Sequence, residues 1–332
     1  MKKIIAILLC LGLVCLSLAC FASCTQKSER LIRINEVTHS VFYAPLYVAI
    51  NGGYFEEYNL QTTLTNGGGS DKSMTALISG DADIALLGPE TSVYVKSQGA
   101  SNSAKIFAQL TQRDGSFLIG RTAQEDFKWN SLKGKTIIGG RRGGMPAMCL
   151  EYAVYKNGLI DKTDVFIDYD VQFDLITAAF ESGIGDYCTM FEPAASQYQS
   201  EKKGYIVASV GEEIGNVAYT CFMATEKYMS KHPEVVKDFT KAIMKAIDYC
   251  HSHSANEIAA LIAPSFATTD VTLLAKALQS YIDIDAWTTV PYMTEESFDT
   301  LQNILMRAGT IDKKIAYGDV VDNSIIDAVI NE

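Results

Sequence analysis

The same order of elements is written twice along this chain, and few folds accommodate that. "LIRINEV" (31–37) reads as a strand and "FYAPLYVAINGG" (42–53) as a helix stopped by glycine. "LQTTLT" (60–65) is a strand, and "SDKSMTALISG" (70–80) a short helix running from Ser70 or Asp71 to Gly80. "DIALLG" follows as a buried strand and "PETSVYVKS" as a helix with Pro89 in its first turn. From about 121 to 218 the order recurs: strand "KTIIGG", a Gly-rich loop, helix "PAMCLEYAVYKNG", strand "VFIDY", helix "QFDLITAAFESG", strand "DYCTMFE" and helix "PAASQYQS". Each half runs a strand into proline, "LLGPETS" in one and "MFEPAAS" in the other. This is a likeness of pattern, and it calls for an α/β fold of two lobes, each a mainly parallel sheet flanked by helices. After 225 the chain is helical. In "PEVVKDFTKAIMKAIDYC", Val235, Val236, Phe239, Ala242, Ile243, Ala246 and Ile247 recur at three- and four-residue steps and form one apolar face.

The N-terminus stands apart from this fold. Met1-Lys2-Lys3 precedes an almost unbroken apolar run, Ile4 to Ala22, and then the polar "CTQKSER". That is an export signal. "FASC" places small residues before Cys24 in the manner of a bacterial lipobox, so residues 1–23 read as a signal peptide, Cys24 as the lipidated residue and 24–30 as a tether. Cys20 is the alternative, weakened by Leu18 where a small residue is preferred; an uncleaved anchor is the other reading, because the run approaches the ~20 residues a span needs. All three readings put the rest of the chain outside the cytoplasm. Loss of residues 1–23 removes two lysines and no acid, taking the formal charge from −11 to −13. Such an acidic chain is unsuited to nucleic acid, which needs clustered Lys and Arg. Cys149, Cys188, Cys221 and Cys250 form no CxxC pair and read as small buried hydrophobes, not metal ligands.

Catalytic signatures fail one by one. "GKT" at 134–136 would need glycine at 129, where Trp129 stands, and it opens a strand instead of a helix, so it is no P-loop. "GGRRGGM" (139–145) is not GxGxxG. Neither GxSxG nor HExxH occurs, and no cofactor is indicated. Of four histidines, His232, His251 and His253 sit in polar helix-end contexts, while His39 follows a strand at the end that faces a cleft in open α/β sheets. Ligands bind such sheets beyond the carboxyl ends of their strands. The segments there are "THSVFY", "GGGSD", "GPET", "GGRRGGM", "YDVQFD" and "FEP". They nominate His39, Phe42, Tyr43, Gly69, Ser70, Glu90, Thr91, Arg142, Gly143, Gly144, Met145, Asp174, Glu192 and Tyr219 as a ligand-binding set. Helix starts offer free N–H donors, glycines let a ligand approach the main chain, carboxylates accept and aromatic rings stack. Arg141 and Arg142 are neighbours on an extended segment and face opposite ways, so one of them meets the cleft.

These segments resemble the solute-binding proteins of ABC importers, in particular the nitrate–sulfonate–taurine and thiamine-pyrimidine-precursor binding family. The likeness rests on Gly53-Tyr54-Phe55 after an aromatic-rich first helix, on Leu77 to Ile84 (L-x-x-G-x-A-D-I) and on Phe191-Glu192-Pro193, and it covers about 31–310. It implies a type II periplasmic-binding-protein fold with lobe one at 31–118 plus 223–332 and lobe two at 119–222. The crossings near "FLIG" and "YTCFMA" would be the hinge. It further implies a monomer without catalysis, tethered by lipid to the membrane, that closes on a small molecule and docks onto a permease with its ATPase. The cysteine-rich cluster of the pyrimidine-synthesising enzymes is missing from the chain, which argues against that branch. A role of another class, an exported sensor module or small-molecule enzyme, stays open, and so do two ligand classes. Ser70, the loop arginines and the Gly143–Gly144 amides suit a sulfonate or nitrate. Tyr43, Phe42, Tyr219, Glu90, Glu192 and Asp174 suit a neutral or cationic heterocycle, which is favoured because a buried carboxylate repels an anion strongly.

Overall fold

The computed structural model describes residues 30–99, 104–172 and 175–332. The signal peptide, the tether with Cys24 and the candidate Asp174 lie outside the described residues. Among the described residues ten strands make two five-stranded sheets. The first holds β1 (Arg30–Glu36), β2 (Leu60–Asn66), β3 (Ile84–Leu87), β4 (Ala104–Thr111) and β10 (Thr220–Thr225), in the order β2-β1-β3-β10-β4. The second holds β5 (Ser116–Gly120), β6 (Thr136–Ile138), β7 (Phe166–Asp168), β8 (Tyr187–Phe191) and β9 (Tyr205–Ser209), in the order β7-β6-β8-β5-β9. The two orders are the same plan.

Each sheet is mixed. β2-β1-β3 and β7-β6-β8 pair in parallel, while β10 runs antiparallel to both β3 and β4, and β5 antiparallel to both β8 and β9. Four of the five strands in each sheet therefore run the same way, as a mainly parallel sheet requires, and one is reversed. The antiparallel member in each case is the strand that has just arrived from the other lobe, so the crossings dictate its direction. They also move the lobe limits. β5 already pairs in the second sheet from Ser116, and β10 pairs in the first from Thr220, so the chain crosses at 112–115 and 210–219. Residues 116–118 lie in the second lobe and 220–222 in the first, the reverse of the sequence-based limits.

The first sheet is cored by Ile32, Ile34, Phe107 and Phe222, closed by the helix Pro233–Ser252. That helix buries all seven residues of its expected apolar face; Phe239 stacks on Phe55 at 5.0 Å and meets Phe222 edge-on at 5.1 Å. The second sheet buries Leu118, Ile119, Ile137, Ile138 and Cys188. Cys149, Cys188, Cys221 and Cys250 are free and buried. His253, expected to be solvated, stacks on Tyr249 at 3.7 Å.

The two crossings touch. A Cβ on Gly211 would sit 2.2 Å from the Asp114 carbonyl oxygen, and a backbone atom cannot swing away as a side-chain end would. Gly211→Ala is expected to destabilise the chain by about 1–3 kcal/mol, the usual range for overpacking, read as a lower urea midpoint. An unchanged midpoint would show that the crossings separate freely.

Candidate functional site

The carboxyl ends of β1 and β8 meet at one ring. Phe42, in the turn Val41–Tyr43 that follows β1, is 1% exposed. Its ring lies 5.9 Å from Phe191 of the second lobe, 5.7 Å from Tyr219 in the second crossing, 5.7 Å from Tyr43 and 4.9 Å from Tyr281. It packs so closely over the first crossing that a Cβ on Gly115 would meet it at 2.8 Å. Ser40 accepts from the Phe42 amide and the Trp287 indole donates to the Phe42 carbonyl, fixing the turn at both ends.

Around this aromatic floor stand buried polar groups. Glu90 begins the helix Glu90–Ser97 and is 3% exposed. Its carboxyl folds back over Gly88, where a Cβ would lie 2.0 Å from Oε2 and would displace the carboxyl. Oε2 has no hydrogen-bond partner within the chain. Burial pushes the Glu90 carboxyl up to about 7, against its own amide, Ser70 and the more distant Arg141. In the first crossing Asp114 is fully buried; Oδ1 accepts from the Ser116 amide at 2.7 Å and from the Ser116 hydroxyl, while Oδ2 has no partner at normal geometry. Burial raises that carboxyl to about 6. The Tyr219 hydroxyl, also without a partner at normal geometry, faces Asp114 and the Cys149 thiol of the helix Met145–Lys156. Burial first, then Asp114, pushes that thiol well up. An unmade hydrogen bond in a buried group costs about 1–3 kcal/mol, and native structures carry few. Asp114, Tyr219 and Cys149 answer one another, so at this floor the Glu90 Oε2 is the oxygen with a bond still to make.

Other nominated residues have other duties. His39 uses both ring nitrogens, Nδ1 to Glu36 at 2.9 Å and Nε2 to the Ser265 carbonyl at 2.8 Å, and lies 4.6 Å from Phe266. The Glu36 hydrogen bond raises its pKa, and the buried Glu36 also accepts from Tyr47, so His39 is tied into the first lobe. Burial raises the Tyr43 phenol, which faces Thr220 and the Glu36 and Glu90 carboxyls. Thr91 donates to the Gly88 carbonyl at 2.7 Å and closes that turn. Gly69 caps the helix Ser70–Ser79 with φ +146°, and the Gly88 amide reaches the Ser70 hydroxyl at 3.4 Å. Across from it Gly144 caps the helix Met145–Lys156, whose first residue Met145 is buried; neither cap uses a side chain. Gly143 accepts from Tyr94 of the first lobe at 3.4 Å.

Arg142 is corrected by the structure. Its guanidinium lies 3.8 Å over the Tyr169 ring and 4.0 Å from Asp161, all on the second lobe. Arg141 is the one that crosses, reaching Asp71 on the first lobe at 3.4 Å. The alternation of an extended segment demanded one of each; the cation–π partner, invisible in sequence order, decided which. Glu192 is 2% exposed and already holds three donors: the Ser196 amide at 2.9 Å, the Ser196 hydroxyl at 2.7 Å and Ser280 at 2.8 Å. Asp114 and Cys149 were not nominated. Nothing local marks them: Asp114 sits in a four-residue crossing and Cys149 among apolar helix residues.

A family model described as "NMT1/THI5 like" matches residues 41–257. The chain belongs to the NMT1/THI5-like family. Among related proteins, "Putative binding protein YtlA" of Bacillus subtilis (strain 168) is 41% identical over 323 residues, 97% of each chain. The 4-amino-5-hydroxymethyl-2-methylpyrimidine phosphate synthase THI5 of Saccharomyces cerevisiae (strain ATCC 204508 / S288c) is 25% identical over 222 residues, 63% of each chain. Among solved structures, this NMT1/THI5-like chain shares its fold with the periplasmic aliphatic sulphonate binding protein SsuA of Escherichia coli. The TM-score is 0.71 at 16% identity, covering 90% of this chain and 100% of that one. The periplasmic nitrate-binding protein NrtA of Synechocystis PCC 6803 gives a TM-score of 0.67 at 12% identity, covering 92% and 89%.

Proposed function

We propose that this protein is the extracytoplasmic solute-binding component of an ABC importer, lipid-anchored through Cys24, which closes its lobes on a small amino-substituted nitrogen heterocycle of the thiamine pyrimidine-precursor type and passes it to a permease. The Glu90 Oε2, left without a partner in the chain and set near the Tyr43 phenol, the Asp114–Tyr219 pair and the Phe42 ring, carries the reading. Carboxyl oxygens accept from ring and amino N–H groups, the phenol donates to a ring nitrogen, and Phe42 and Tyr43 face the ring. The description of the Bacillus relative as a binding protein supports the role, and the pyrimidine in the yeast relative's name supports the ligand class. Turnover is disfavoured by the Cys149 thiol, which burial keeps protonated, and by His39, whose two nitrogens are occupied. Population shift requires the ligand to touch both lobes, and lobe two contributes Phe191 and the Cys149 helix.

A second reading, a sulfonate or nitrate, draws on the two glycine-capped helix starts at 70 and 145 and on the names of the structural neighbours. Thermal-shift and calorimetric titration of residues 25–332 against aminopyrimidines, flavins, taurine, alkanesulfonates and nitrate separates them, because a ligand of the native state raises Tm by mass action. Affinity for an amino heterocycle is expected to rise with pH through about 7, as Glu90 ionises, and affinity for a sulfonate to fall. Shifts with sulfonates alone would overturn the heterocycle.

A further inference from the structure

Glu192 has a second reading once its partners are named. It ends β8 of the second lobe, yet one of its three donors, Ser280, lies on the helix Val271–Asp283 of the C-terminal helical part. The same helix fixes the Glu192 amide: Glu192 donates its N–H to the Tyr281 hydroxyl at 3.0 Å. Tyr281 in turn donates to the Gly115 carbonyl of the first crossing at 3.3 Å, and its ring packs against Phe42 and Phe117. The chain just after this helix is strapped to the first lobe. The Gln112 side-chain amide donates to the Asp285 and Trp287 carbonyls, Trp287 donates to Phe42, and Thr288 bonds the Gln109 carbonyl. Ser280 and Tyr281 thus sit on a helix strapped to the first lobe, and Glu192 on the second lobe. The Ser280 hydroxyl has one proton, and the carboxylate at 2.8 Å is a nearer and stronger acceptor than the Lys276 carbonyl at 3.3 Å.

We propose that Glu192 is a positioning residue, not a ligand contact: its bond to Ser280, backed by Tyr281 on its amide, is a latch made when the lobes close and broken when they part. Ser196 satisfies the same carboxylate from within lobe two, so the charge stays solvated by the protein when the latch opens. Removal of the latch acts on closure and so weakens every solute by the same factor. The inference rests on the closing, two-lobed solute binder proposed above, but its test needs no solute.

Spin labels on the exposed Lys72 and Asp170, one in each lobe, report lobe separation in the full-length protein by pulsed dipolar spectroscopy. Ser280→Ala is expected to raise the open-to-closed ratio about tenfold, the usual worth of a hydrogen bond to a charged group. Ser280→Thr keeps the hydroxyl and is expected to restore the parent distribution. Ser196→Ala removes a donor that serves the same carboxylate with the latch open or shut, and is expected not to open the lobes further. A Ser280→Ala distribution equal to the parent's, or a Ser196→Ala variant that opens as far, overturns the latch. Failure of the ligand screen with these separations as expected would instead count against the solute class alone.

Discussion

Glu90→Gln is expected to make the protein more stable and a poorer binder at once. Its folded carboxyl titrates near 7 against an ordinary value of 4.5, so the native state holds the proton more tightly than the unfolded chain. Stability contributed by the protonated form is therefore present below about 4.5 and falls as pH rises toward 7, by about 3 kcal/mol at most. An amide of the same shape carries no charge to desolvate. Thermal melts should then show the variant above the parent at pH 8 and level with it near pH 4. Titration with the amino heterocycle should show affinity down about 10- to 100-fold, the worth of a charge-assisted bond. Parallel melting curves at all pH values would show that Oε2 finds water or a partner in the native state. Stability held below its optimum at the proposed binding residue would be the familiar trade between folding and function.

Phe42→Ala is expected to cost about 3–5 kcal/mol, the largest loss from one side chain at the site, read from urea denaturation. The ring is 1% exposed and touches Phe191, Tyr219, Tyr43 and Tyr281, which come from both lobes, a crossing and the C-terminal helices. Collapse into the cavity is opposed by Gly115, which has no side chain to fill it, and by the Trp287 bond that pins the Phe42 carbonyl. Phe42→Leu retains most of the volume and should lose less than half as much. A loss below about 1 kcal/mol for Phe42→Ala would mean that the lobes close over the gap. Ligand affinity should fall in both variants, because the same ring is floor to the site and cushion to the hinge.

The helices were legible because their signals are local. The apolar steps of 233–252, the prolines at 89 and 193 and the glycine stops fall where the structure has them. The site was half legible for the same reason. Strand ends nominate Phe42, Tyr43, Glu90 and Tyr219, and the structure gathers these around one floor. Glu192 was legible as a buried strand-end carboxylate but not as the mate of Ser280, a residue 88 positions away.

The sequence alone determined two α/β lobes of one plan, the C-terminal helical cover and the strand ends that make the candidate site. Hydrophobic period, caps and turn residues act over a few positions, and the chain carries them wherever it goes. Tertiary structure alone decided the direction of β5 and β10, the crossing points, which arginine spans the cleft, and which polar atoms are left without a partner. Strand direction follows from how a chain returns between lobes, and an unpaired oxygen is a property of everything packed around it. Asp114 and Cys149 belong to that second class. Each is ordinary in its own segment and becomes part of a site only where both crossings and the second-lobe helix converge.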